Sequence, residues 1–174
     1  MATPQTINPM LTDVGLDEAN KAERNGYQLY ITHVALGTGK YNSDTLGAAM
    51  TALSNMKEYV TIAAGRTSGQ HGFSTTVEFD SYTGTPYEAC EIGFYSGIPG
   101  NGGVLVAVYS HPSEALVLRN ALRYLSTFIF QQSRLPAGVI NVTIDQNASS
   151  AMALIANHEA ATDPHPQYIK RSGD

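Results

Sequence analysis

The stretch "EIGFYSGIPGNGGVLVAVYS", residues 91–110, restricts the fold more than any other part of the chain. Its two outer runs are rich in β-branched and aromatic residues, among them Ile92, Phe94, Tyr95, Val104, Val106, Val108 and Tyr109. That composition favours strands. Between the runs, residues 97–103 hold four glycines and a proline. Two strands joined by a short glycine-rich connection read as an antiparallel hairpin. We take them as "EACEIGFYS" and "GVLVAVYSH".

The same signals extend along most of the chain. "YQLYITHVALG" predicts a strand over residues 27–36, and "EYVTIAAG" a second around 59–63. "FSTTVEFD" alternates Phe73, Thr75, Val77 and Phe79 with Ser74, Thr76, Glu78 and Asp80, the period of a half-buried strand. "RYLSTFIFQQSRL" is ambiguous, though Thr127, Phe128, Ile129 and Phe130 favour a strand; "GVINVTID", residues 138–145, is the last one. "GTGKYNSD", "RTSGQHG" and "SYTGTPY" read as loops or breaks.

Helices are few. "LTDVGLDEANKAERNG" has Thr12 or Asp13 as a cap, Asp17 and Glu18 early, Lys21 and Arg24 late, and Gly26 as its end, the order the helix dipole favours. Its apolar stripe, Val14, Leu16, Ala19 and Ala22, is narrow. "DTLGAAMTALSNM" predicts a short helix weakened by Gly47. "NASSAMALIANHEAA" predicts one capped by Asn147 or Ser149, with Ala148, Met152 and Ile155 on one face. It is too short to stand alone in water, so it packs on the sheet or on copies of itself. The expected class is α+β: a mostly antiparallel sheet with an N-terminal helix and a short C-terminal helix leading into an extended connector.

Composition narrows the function. Charged residues make up 14 % of the chain, against roughly 25 % in typical globular proteins. A surface poor in charge and rich in neutral polar groups and tyrosine suits lasting contact with other subunits. The net charge is −5 and the basic residues are scattered, which argues against nucleic acid as a partner. No run reaches the ~18 apolar residues of a membrane span, and the N-terminus lacks the pattern of a signal peptide. Cys90, the one cysteine, is expected to be a small buried hydrophobe. "ALGTGK" has glycines after a strand but not the spacing of a phosphate loop, so Gly37 and Gly39 read as a turn. No nucleophile elbow or carboxylate pair stands out, so neither an enzyme nor a cofactor is expected. His158 and His165 would form a metal or anion site only if three chains brought them round an axis.

Three segments resemble one family. "LTDVGLDEANKAERNGYQLYITHVALGTGK", residues 11–40, is similar to the opening of phage tail-collar fibre proteins, the N-terminal domains of tail fibres in contractile phages and R-type pyocins. Their pattern is a helix with a "T-x-x-G" start, then "I-T-x-x-A-L-G-x-G". Residues 91–110 resemble the family's "E-I/L-G-L/F-Y" strand, turn and "L-I/V-A-V" strand, and "VINVTID", residues 139–145, its closing strand. The middle, "TSGQHGFSTTVEFDSYTGTPYEA", departs from the family, where a longer, more charged stretch is common.

The chain's last segment, "HEAATDPHPQYIKRSGD", resembles the connector that precedes the shaft in tail-fibre proteins, so a shaft is expected beyond Asp174. Pro164 and Pro166 make "DPHPQY" a stiff extended strut. The resemblance implies a structural virion protein and a homotrimer: residues 1–146 as the domain that attaches the fibre to a baseplate protein, and residues 147–174 as the helix and connector toward the shaft. It implies assembly in the host cytoplasm, a place in the virion tail, and host-receptor recognition in a distal part of the fibre. Ala148, Met152, Ile155 and Tyr168 are the expected oligomer interface. The competing reading is a free-standing domain that binds a carbohydrate or peptide through its tyrosines.

Overall fold

A computed structural model describes residues 5–67, 72–131 and 140–142 of the protein. The chain begins with two short strands, β1 (Gln5–Thr6) and β2 (Met10–Leu11), and then helix α1 (Asp13–Asn25). Thr12 is the helix cap, its hydroxyl accepting from the Gly15 N–H. Gly26 ends the helix at φ +71°, a left-handed conformation that glycine adopts without a Cβ penalty. Strands β3 (Leu29–Ile31) and β4 (His33–Gly37) follow, then a single helical turn, α2 (Ser43–Leu46), which tightens into a 3-10 turn (Gly47–Ala49). The remaining elements are strands: β5 (Met56–Thr61), β6 (Ala64–Thr67), β7 (Gly72–Phe79), β8 (Tyr87–Ala89), β9 (Glu91–Ser96), β10 (Val104–Ser110), β11 (Val117–Arg119), β12 (Tyr124–Gln131) and β13 (Ile140–Val142).

Two sheets carry the fold, one ordered β2-β10-β9-β4-β5 and one ordered β1-β12-β7-β6. Their pairings are antiparallel except for β1 with β12, and two-stranded ribbons add β8 with β11 (antiparallel) and β3 with β13 (parallel). The described residues are thus mostly antiparallel sheet with few short helices. Val34, Leu36, Ile92, Phe94 and Val106 of the five-stranded sheet share one buried core with Val77, Phe79 and Phe128 of the four-stranded sheet. Phe94 and Phe128 meet edge to face across it, centroids 6.1 Å apart. The α1 residues Ala19 and Ala22 close the same core. A second, smaller core lies on the other side of β4: Ala35, Leu53, Tyr95, Leu105 and Val108, covered by Tyr41 and Met50.

Several segments differ from their sequence expectation, each through a long-range partner. Residues 27–36 form two strands: Leu29–Ile31 pairs with β13, whereas His33–Gly37 pairs with β5 and β9. Thr32 is the joint, its N–H donating to Tyr95 O and its carbonyl accepting from Ile62 N–H. "EACEIGFYS" likewise divides at Cys90, with β8 in a ribbon and β9 in the five-stranded sheet. The strand expected at residues 59–63 covers Met56–Thr61. The chain then turns through Ile62 and Ala63 into β6, so Arg66 and Thr67, expected in a loop, are paired strand residues. The helix expected over "DTLGAAMTALSNM" is shorter, ending with the 3-10 turn at Ala49. The ambiguous segment is strand β12. The expected C-terminal helix and connector lie outside the described residues.

In β7 the alternation is that of the sequence: Thr75, Val77 and Phe79 are buried while Ser74, Thr76 and Glu78 are half-buried. Thr75 therefore places a hydroxyl in the core, and its Oγ1 has no hydrogen-bond partner among the described residues. A buried hydroxyl without a partner carries its full desolvation penalty. Thr75→Val keeps the shape and removes that penalty. It should stabilise the fold by about 1 kcal/mol, read as a higher urea midpoint with an unchanged m-value.

Candidate functional site

Two of the three segments that carry the family resemblance, residues 11–40 and 91–110, meet at two junctions. The first is the "T-x-x-G" start of α1, Thr12 to Gly15, against the "LVAV" strand. The Thr12 N–H donates to Val106 O at 3.0 Å, and its hydroxyl donates to Leu105 O at 2.5 Å while accepting from Gly15 N–H at 2.9 Å. Gly15 lies so close to β10 that an added Cβ would stand 2.3 Å from Val106 O and 2.6 Å from its Cα. One hydroxyl thus caps the helix and ties it to the sheet, and the glycine sets the approach.

The second junction joins "ALGTG" to "EIGFY". These two segments are neighbours in the sheet, Gly37 opposite Glu91 and Ala35 opposite Gly93. The Glu91 side chain is fully buried. No cation faces it among the described residues; four hydrogen-bond donors do. Oε1 accepts from Asn55 N–H at 2.7 Å and Gly39 N–H at 3.1 Å. Oε2 accepts from the Tyr41 hydroxyl at 2.9 Å and Ser54 N–H at 3.0 Å. Charge-assisted bonds of this kind are roughly twice as strong as neutral ones. The glycines make room: a Cβ on Gly37 would stand 2.3 Å from Glu91 Oε1, and one on Gly39 within 2.8 Å of three Glu91 atoms. Ser110, ending "LVAVYS", accepts from Tyr41 N–H and donates to Gly39 O, holding the same loop from the next strand but one. "ALGTGK" is thus a turn shaped around a carboxylate.

A second buried charge has no counterpart in the resemblance. Arg119, 1 % exposed, donates from Nε to Glu58 Oε1 at 2.7 Å and from Nη2 to Glu58 Oε2 at 3.2 Å. It lies over the rings of Phe79 and Tyr124, 5.4 and 5.9 Å from their centroids. The Tyr87 hydroxyl also donates to Glu58. The cluster ties the β8–β11 ribbon to β5, β7 and β12. From the sequence, Glu91 enters only as the first residue of the "EIGFY" resemblance, with no role, and Arg119 not at all. The available signal was a charged residue inside an apolar run, "EIGFY" and "ALVLRN".

Two half-buried phenols have a consequence at high pH. Burial, reinforced by the neighbouring carboxylate, raises the pKa of Tyr41 and of Tyr87 well above the ordinary 10.0. The unfolded chain releases these protons from about pH 10 upward while the folded chain keeps them, so stability falls as pH rises above that value. Urea midpoints should drop as pH rises from about 10, and Tyr41→Phe together with Tyr87→Phe should flatten the drop.

Other candidates are dispersed. Among the described residues no group of three or more His, Cys, Asp or Glu side chains is placed to hold a metal, and no helix is long and apolar enough to cross a membrane. Cys90 is buried, its thiol pKa raised by burial. Tyr27, Tyr30 and Tyr59 are exposed, as are Leu118, Leu122 and Leu125. Leu118 and Arg119 are successive strand residues and point to opposite sides; Arg119 covers the inner face of β7 and β12, so Leu118 points away from it, whereas Leu125 sits on the outer face. Leu118 and Leu125 therefore do not share one patch. The expected interface residues Ala148, Met152, Ile155 and Tyr168, with His158 and His165, lie outside the described residues. No protein-family model, curated protein or solved structure matches the chain.

Proposed function

We propose that this chain is the attachment module at the N-terminal end of a phage tail fibre, of the tail-collar type, working as a homotrimer that binds a baseplate protein of the tail. The observation that supports it is the use made of the motif residues. Thr12, Gly15, Gly37, Gly39, Glu91 and Ser110 are spent on joining a helix and a loop to one sheet. A motif of this kind identifies a scaffold, and a tail-collar domain is a scaffold. The low charged fraction, 14 %, fits a surface made for subunit contact. In this reading residues 1–146 attach, residues 147–174 lead toward the shaft, and host-receptor recognition belongs to a distal part of the fibre. Ala148, Met152, Ile155 and Tyr168 are the proposed contacts between chains.

The exposed tyrosines Tyr27, Tyr30 and Tyr59 favour the second reading, a free-standing carbohydrate- or peptide-binding domain. Light scattering separates the two. The attachment module should show three times the chain mass, and Met152→Asp with Ile155→Asp should reduce it to one while the sheet stays folded. A monomeric wild type that binds glycans or peptides would overturn the attachment reading.

A further inference from the structure

The turn that follows β10 is capped by an imidazole. Half-buried His111 points Nδ1 at its own chain: Glu114 N–H donates to it at 3.1 Å and Ser113 N–H at 3.3 Å, with Ser113 Oγ also at 3.3 Å. A side chain at one position accepting from the backbone N–H groups two and three residues on is the geometry of a helix cap. The sequence fits it, since Pro112 stands where a missing N–H is harmless and its φ is preset. Asn, Asp, Ser or Thr usually holds the capping position. Those side chains keep an acceptor oxygen throughout the mildly acidic range.

Histidine differs. Nδ1 accepts only while it is unprotonated, so the neutral ring must carry its proton on Nε2; the imidazolium has an N–H at both nitrogens and accepts nothing. We infer that His111 is a proton-sensitive cap: protonating the ring turns a donor against two backbone N–H groups and opens the turn from β10 into the β8–β11 ribbon. Nearby charges do not pre-empt this. Among the described residues the ring makes no ion pair with a carboxylate. On the ribbon, Arg119 is engaged by Glu58 and Glu88 by Lys40, while Glu114 is exposed. The ribbon itself is held independently, by Leu116 N–H to Ala89 O at 2.7 Å and by the Arg119 cluster, so the change is confined to the turn.

The test is 15N NMR on the full chain, titrated from pH 8 to pH 5. The neutral ring of His111 should carry its proton on Nε2. The Ser113 and Glu114 amide protons should leave their hydrogen-bonded positions in step with ring protonation. His111→Asn, which caps at both ends of the titration, should hold both amides in place. A neutral ring protonated on Nδ1, or wild-type amides that keep their positions as the ring protonates, would overturn the inference. So would amides that move equally in the Asn variant.

Discussion

Glu91→Ala should lower the stability of the fold by on the order of 4 kcal/mol, roughly 10 °C in the melting temperature of a chain this size. The substitution leaves the N–H groups of Gly39, Ser54 and Asn55 and the Tyr41 hydroxyl without their acceptor; Gly39 and the Glu91 side chain are buried, whereas Ser54 and Asn55 sit at the exposed rim, where water replaces part of what is lost. Each unmet buried donor costs about 1–3 kcal/mol, reduced where the loop relaxes toward solvent. Glu91→Gln should lose about half as much, because the amide nitrogen turns hydrogens toward donors. The sharper check is a double-mutant cycle with Gly39→Ala. The nearest atoms a Cβ at position 39 would meet all belong to Glu91, at 2.7–2.8 Å. Gly39→Ala should therefore destabilise the wild type by about 1–3 kcal/mol, as overpacking does, and be nearly neutral once Glu91 is Ala. Additive effects in calorimetric melts would mean that the glycine serves something other than the carboxylate.

Gly15→Ala should reverse the usual sign of a glycine-to-alanine change in a helix. In an open helix alanine is favoured by roughly 0.5–1 kcal/mol. Here the new Cβ meets Val106 O, Cα and C at 2.3, 2.6 and 2.8 Å, and backbone of a central strand cannot rotate aside. The helix must lift by about 1 Å, which pulls Thr12 off Leu105 O and Val106 O and loosens Ala19 and Ala22 from the core. The expected loss is about 3 kcal/mol or more. Thr12→Ala should remove part of the same attachment, and the two changes should be less than additive because they release one contact. Chemical denaturation of the two single variants and the double measures this.

How much of this was legible beforehand varies with the range of the interaction. Helix α1 was readable because its determinants are neighbours: Thr12 reaches Gly15, and Gly26 takes its left-handed conformation within the same turn. The β9–β10 hairpin was readable because its partners are joined by a short glycine-rich loop, with Gly97, Gly100 and Gly102 at positive φ. In β7 the alternation of buried and half-buried residues follows directly from the period of an extended chain.

The breaks at Thr32 and Cys90 and the turn at Ile62 and Ala63 carry no proline or glycine to announce them. They occur where the chain exchanges one hydrogen-bonding partner for another, and those partners lie more than ten residues away. The same distance hid the role of Glu91. Its donors come from residues 36, 37, 50 and 52 positions earlier, three of them backbone N–H groups that every non-proline residue possesses. The sequence determined by itself which runs are extended, where the first helix begins and ends, and which strand faces are apolar, since these depend on local sterics and periodicity. The tertiary structure alone decided which sheet each run joins and why Gly15, Gly37, Gly39 and Glu91 stand where they do, because close approach and satisfaction of a buried charge exist only between segments that folding brings together.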